Sequence, residues 1–261
     1  GGKIDRIDTC EDENKVYVKV TDYKTGMKSF DITAFYHGLQ IQLPVYLNAA
    51  LEIEKKKHPN REICPAGIFY YRIQDPFVNR ADTEEEVENS MLKELRLDGL
   101  VNGDDQVVDH LERGLSGSSV RFPIGRNKDG SLSKASRVLT PGEFRTMLAY
   151  TKIMESELKE KMYEGEVQAE PYELNGATGC DYCECRDICG FDPRIDGCRY
   201  RQLEKYSLEE AVERMRLKTG ESGENTGDDS RENAGKDREK AEEKEVTGHG
   251  SDVDGRAAES H

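Results

Sequence analysis

The sequence predicts one α/β domain followed by a polar tail, and three observations carry that reading. Residues 2–8 and 15–22 alternate apolar and polar side chains (Ile4, Ile7; Val16, Val18, Val20) around the polar run Glu11-Asp12-Glu13-Asn14, the pattern of an antiparallel hairpin. Leu39, Leu43, Tyr46, Leu47, Ala50 and Leu51 then recur at helical spacing up to Glu54-Lys55-Lys56-Lys57, just before Pro59, and a strand-like apolar run follows at 64–73. Further on, Thr140-Pro141-Gly142-Glu143 and Ser207 with Glu210 are capping boxes that open two more helices. With 261 residues of which 35% are hydrophobic, the chain can bury a core for one medium domain.

The remaining elements follow in order. Residues 84–95 read as a helix with acidic residues in its first turn, where they complement the helix dipole. Residues 98–117 carry Asp-Gly, Asn-Gly and Ser-Gly turn signals around a short helical piece at 107–113 and are expected to be scaffold. Segments 118–125 and 135–139 read as two strands joined by Arg126-Asn127-Lys128-Asp129-Gly130. The helix opened by Thr140 is expected to run to about Glu164, with Met147, Ile153, Met154, Leu158 and Met162 in the core, and the helix opened by Ser207 to about Lys218. Arg121, Arg126, Lys128 and Lys134 fit a solvated face better than a phosphate track. Residues 219–261 are almost free of apolar side chains, cannot offset their ordering entropy and are expected to be disordered.

Chemistry concentrates at the end of the hairpin. Asp22-Tyr23-Lys24 follows Asp5 by seventeen residues, and paired strands bring residues from opposite strands to about 5 Å. Asp5 and Asp22 can therefore share one end of the ribbon. Magnesium takes an oxygen octahedron and keeps several waters, so two carboxylates, the Tyr23 backbone carbonyl and phosphate oxygens suffice to hold it. Lys24 returns to the face of Asp22 after two residues and can orient a water and offset transition-state charge. Taken alone, the same residues also describe an exposed strand end running into the Thr25-Gly26 turn, with Asp8, Glu11 and Asp12 in the solvated turn. Gln42 and Tyr46, four apart on the first helix, stack on one face and can brace polar groups over the site.

A second dense feature is Cys180-Asp181-Tyr182-Cys183-Glu184-Cys185-Arg186-Asp187-Ile188-Cys189, which holds four of the seven cysteines. Clustered thiolates bind soft metals, either zinc or iron with sulfide. Cys180, Cys183 and Cys189 give three ligands, and Cys185 or Cys198 could complete a zinc knuckle within the segment. Cys10 and Cys64 read as small buried residues.

Gly-x-Ile-Asp-Arg, Asp-Tyr-Lys-Thr and Gln-x-x-x-Tyr, in this order, resemble the blocks of RecB-like nucleases of the PD-(D/E)xK superfamily. The resemblance implies a restriction-endonuclease-like core, a mixed sheet flanked by helices, with the cysteine cluster near its carboxy end. It implies that Asp5 and Asp22 bind Mg2+, that Lys24 assists the attacking water, and that Gln42 and Tyr46 support the site. The segments 65–71, 95–100 and 165–172 are similar to carboxy-terminal segments of the AddB subunits of AddAB helicase-nucleases, so the likeness runs over residues 1–206. In that family three cysteines of this spacing join one far upstream to hold a [4Fe-4S] cluster, which implies Cys180, Cys183 and Cys189 as ligands here. The implied activity is magnesium-dependent DNA exonuclease action on single-stranded ends, in double-strand break repair by homologous recombination, beside an AddA-like helicase-nuclease subunit. The expected organisation is a nuclease domain at 1–206 including the cysteines at 180–198, a terminal helix at 207–218 and the tail.

The chain begins Gly1-Gly2-Lys3 without an initiator methionine, so the family's upstream histidine, first cluster cysteine and helicase-like region are expected to precede it, and this piece alone is not expected to be robustly active. His37 and His58 fit surface or capping roles. No apolar run approaches twenty residues and no leader is recognisable, so neither membrane insertion nor export is expected, and clustered thiols suit a reducing cytoplasm. The Walker A pattern is absent, which argues against ATP binding by that route. The net charge of −15 opposes tight DNA binding by the whole surface; residues 218–261 contribute seven basic and thirteen acidic side chains to it. A stand-alone RecB-like exonuclease and a non-catalytic zinc- or cluster-bearing scaffold are the competing expectations.

Overall fold

A computed structural model describes residues 2–26, 28–78 and 83–220. The elements run β1 (Arg6–Glu11), β2 (Lys15–Lys24), α1 (Ile32–Tyr36), α2 (Gln42–Lys57), β3 (Glu62–Arg72), α3 (Glu84–Glu94), β4 (Asp98–Asn102), α4 (Asp105–Leu111), β5 (Gly117–Ser118), β6 (Gly125–Arg126), β7 (Val138–Leu139), α5 (Pro141–Glu164), β8 (Tyr172–Leu174), β9 (Ala177–Thr178), β10 (Arg201–Gln202) and α6 (Leu208–Thr219). Of the tail expected at 219–261, Thr219 instead ends α6 with Gly220 as its cap, and residues 221–261 lie outside the described residues.

The main sheet has the order β1-β2-β3-β4-β7. β1 pairs antiparallel with β2, β2 parallel with β3, β3 antiparallel with β4, and β4 parallel with β7, so the sheet is mixed. The parallel β2–β3 pair needs a crossover, and α1 and α2 supply it. Asp12 shapes the hairpin turn by accepting from the main-chain N–H groups of Asn14 and Lys15. The β2–β3 register shifts beside Val18, where Pro65, which cannot donate to the ladder, occupies β3.

Strand alternation sorts the two faces. Val16, Val18 and Val20 of β2 pack with Leu43, Leu47 and Ala50 of α2, Phe144 and Met147 of α5, and Val212 and Met215 of α6. On the other face Phe69 and Val101 pack with Val108, Phe122 and Ile124. The capping boxes of Thr140 and Ser207 form as expected, and Thr83 makes a third. Arg137 ties the lead-in to β7 to the Asp98 carboxylate and the Phe30 carbonyl, and Asp98 in turn accepts from Phe30 N–H at 2.5 Å.

Several local expectations are corrected. Residues 98–102, read as turn, form a core strand, because Gly99 serves a close approach to β3 and not a turn. Segments 118–125 and 135–139 do not pair as one hairpin: β5 pairs with β6, while β7 crosses to β4. Leu158 and Met162 of α5 are exposed, since the helix outruns the core, whereas Met147 and Met154 are buried. Asp8 belongs to β1 and not to the turn, where it pairs with Arg6 and Lys19. Cys10 is exposed on the edge strand β1, and Cys64 is half-buried, its thiol pushed up to about 11 by burial.

Candidate active site

The hairpin delivers its carboxylates as the spacing predicts. Arg6 pairs with Thr21, so Asp5 falls one step beyond the ladder, beside Asp22. The Asp5 carboxylate accepts from the Tyr23 main-chain N–H at 3.1 Å. An extended residue presents both main-chain groups to the same neighbour, so the Tyr23 carbonyl faces the same edge as Asp5. Asp22 sits on the core face and is only 2% exposed.

A carboxylate so buried needs partners. Gln42, in the first turn of α2, donates to Asp22 Oδ1 at 3.0 Å and to the Tyr46 hydroxyl at 3.1 Å. Lys24 Nζ donates to Gln42 Oε1 at 3.0 Å and lies 2.5 Å from Asp22 Oδ2. That second oxygen is sealed from solvent, with the Lys24 ammonium as its charge partner. The structure thus brings Asp5, Asp22, Tyr23, Lys24, Gln42 and Tyr46 together at one strand end. Two carboxylates and a main-chain carbonyl at one strand end are hard oxygen donors and fit a divalent cation of the magnesium type, which takes one or two carboxylates and fills its shell with water and substrate.

Tyr70 was not anticipated. It lies opposite Asp22 across the β2–β3 ladder and opposite Asp98 across the β3–β4 ladder, and is 2% exposed. Its hydroxyl has no partner among the described residues, and the ammonium groups of Lys24 and Lys28 each lie 5.5 Å from its ring centroid. Burial, then Asp22 and Asp98, push its hydroxyl up to about 12. The available signal was the phase of β3, in which Ile68 and Tyr70 share the core face, but the continuous apolar run at 66–71 hides that alternation.

The histidines take capping positions. His37 closes α1 and contacts the Glu204 carbonyl at 2.9 Å, and His58 closes α2. Arg126, considered for phosphate contact, is engaged by Asp105 at 2.8 Å.

Cys180, Cys183, Cys185, Cys189 and Cys198 are all free thiols. Their segment is built of turns, with Cys183 N–H reaching Cys180 O at 3.4 Å and Cys189 N–H reaching Cys185 O at 2.9 Å. Phe191 N–H donates to Cys189 Sγ at 3.4 Å. Soft sulfur donors suit iron or zinc in kind, yet among the described residues no three Cys, His, Asp or Glu side chains converge into a metal cage.

Acidic residues and a lysine gathered at one strand end of a mixed, helix-flanked sheet place the protein in the class of metal-dependent nucleases. The chain belongs to the PD-(D/E)XK nuclease superfamily, whose model matches residues 1–190. It is 40% identical over 218 residues to the B subunit of the ATP-dependent helicase/deoxyribonuclease of Lachnoclostridium phytofermentans, covering 80% of this chain and 19% of that protein. The proteins of the same name from Alkaliphilus metalliredigens and Clostridioides difficile are 40% and 37% identical, each over 82% of this chain and 19% of the relative. The chain therefore spans about a fifth (19%) of the length of these curated relatives. Among the described residues no helix is long and apolar enough to cross a membrane.

Proposed function

We propose that this chain is the nuclease domain of an AddB-like helicase-nuclease subunit and hydrolyses phosphodiester bonds in single-stranded DNA during double-strand break repair by homologous recombination. The observation that carries the reading is the buried Asp22 carboxylate, held by Gln42 and Lys24 at the strand end that also carries Asp5. Asp5, Asp22 and the Tyr23 carbonyl would hold Mg2+, which supplies Lewis acidity that makes water nucleophilic near neutral pH.

The chain's own residues do the positioning. Lys24 sits where its ammonium can orient the attacking water and offset charge that develops on the phosphate. Gln42 fixes the Asp22 oxygens and the Lys24 ammonium at once, and Tyr46 fixes Gln42.

Residues 1–206 form the proposed nuclease domain, with α6 as a terminal helix. Cys180, Cys183 and Cys189 are the proposed ligands of a [4Fe-4S] cluster whose fourth ligand comes from residues upstream of Gly1, a reading that rests on their spacing. The proposed partner is an AddA-like subunit in a heterodimer.

The test is cleavage of end-labelled single-stranded DNA by the full-length protein, prepared anaerobically with its partner, alongside Asp22→Ala. Loss of roughly a thousandfold, about 4 kcal/mol of transition-state stabilisation, is expected. Equal cleavage by both proteins would refute the assignment of the site. Iron and sulfide analysis of Cys189→Ala tests the cluster; zinc without iron in the unaltered protein would refute it.

A further inference from the structure

A cleft of about 460 Å³ opens on the face of the sheet opposite the Asp22–Lys24 site. Its size lies within the roughly 300–1,000 Å³ of small-molecule sites. β2 serves both faces, because Asp22 and Lys24 project to one side while Thr21 and Tyr23 project to the other.

Three kinds of group line the cleft. Thr21 is 4% exposed, and its hydroxyl has no hydrogen-bond partner among the described residues. A buried orphan hydroxyl is costly unless something fills the site. Tyr23 and Tyr71 present two rings at 5.8 Å, edge to face, above apolar walls that include Leu95 and Phe122. Arg6, Lys19 and Arg121 add three cations. Asp8 pairs with Arg6 at 2.9 Å and with Lys19 at 2.7 Å, while Arg121 is exposed and its guanidinium has no partner among the described residues. The cleft is thus locally positive on a chain of net charge −15.

An apolar ligand would leave the cations and the hydroxyl unused, and a plain anion would leave the rings and walls unused. A nucleotide uses all three, with its base against the rings, its base edge on the hydroxyl and its phosphate on a guanidinium. We propose that this cleft is a nucleotide-binding subsite, taking either an unpaired residue of single-stranded DNA or a free mononucleotide. The proposal rests on the nuclease reading for its biological setting. Because Tyr23 stands between Asp22 and Lys24, a nucleotide held there is anchored on the strand end that carries the candidate active site.

The test is photocrosslinking of the full-length protein in EDTA, so that no DNA is cut, with a single strand containing 5-iodo-2′-deoxyuridine and, separately, with its free 5′-monophosphate. Digestion and mass spectrometry then locate the adducts. Adducts on Tyr71 or Tyr23 are expected, reduced about tenfold by Arg121→Glu, reduced by Thr21→Val, and retained in Asp22→Ala. Adducts from the strand alone assign the subsite to a DNA residue, and adducts from the monophosphate assign it to a free nucleotide. Absence of adducts from both tyrosines, or yields unchanged by both Arg121→Glu and Thr21→Val, would overturn the proposal. Cleavage by Asp22→Ala is scored in parallel with magnesium, so failure of the nuclease reading is seen separately.

Discussion

The Asp22 carboxylate of β2 and the Gln42 side-chain amide of α2 meet at 3.0 Å, joining residues twenty positions apart through the core face of the sheet. Gln42 also accepts from Lys24, so one side chain fixes both charged groups of the candidate site. Gln42→Ala is expected to lower cleavage about 10–100-fold, the usual effect of losing a group that orients a metal ligand. Gln42→Glu should do more damage, since it sets a carboxylate against buried Asp22. Metal titration of cleavage rates checks this: a change in kcat without a change in metal dependence would mean that Gln42 does not act through Asp22.

Lys24 is bound to the site by charge, with Nζ 2.5 Å from Asp22 Oδ2. Lys24→Met keeps the aliphatic stem and removes the ammonium. A fall in kcat of about 10²–10³ is expected, with KM for DNA little altered, because the charge acts on the reacting phosphate. Lys24→Arg should restore little, since a planar fork does not replace a compact point charge. A variant that lost affinity and kept kcat would place Lys24 in substrate binding instead.

How much of this was legible in the sequence depended on how local the determining contacts are. The hairpin and α2 were readable because alternation and helical spacing are local, and those two elements alone bring Asp5, Asp22, Lys24, Gln42 and Tyr46 together. β4 was not readable, because Asp98 and Gly99 carry turn chemistry while their role is set by β3, some thirty residues away. The pairing of Val138 with Val101 is likewise a long-range choice that no local pattern encodes. α1 has only five residues, too few to show a period. Tyr70 was hidden because both faces of β3 are buried, so its alternation is masked.

Asp8 gives a pH signature away from the candidate site. Partial burial pulls its carboxyl upward, but hydrogen bonds from Arg6 and Lys19 more than offset that and hold it below the usual carboxylate range. A carboxyl depressed in the folded state stabilises the fold above its unfolded value of about 3.9, and the contribution is lost as pH falls through the folded value. Urea midpoints measured between about pH 5 and pH 3 should therefore drop more steeply for the unaltered protein than for Asp8→Asn. Parallel pH profiles would show that the Arg6–Asp8–Lys19 group is not held in solution.

Gly99 is the sharpest steric constraint in the sheet. A Cβ there would lie 1.9 Å from the Ile68 carbonyl oxygen, which is backbone and cannot swing away. Gly99→Ala must push β4 from β3, at an expected cost of about 1–3 kcal/mol or more. It should also disturb the row in which Asp22, Tyr70 and Asp98 face one another across three strands, so cleavage should fall along with stability. Gly142, in the first turn of α5, is the control: an added Cβ meets nothing nearer than an Arg145 guanidinium nitrogen at 3.9 Å. Gly142→Ala should raise stability by about 0.4–1 kcal/mol by restricting the unfolded chain. Urea unfolding of the two variants at matched m-values compares them directly. The same added methyl group should move the midpoint in opposite directions, and a Gly99→Ala midpoint equal to that of the unaltered protein would show that β3 and β4 do not pack in this register.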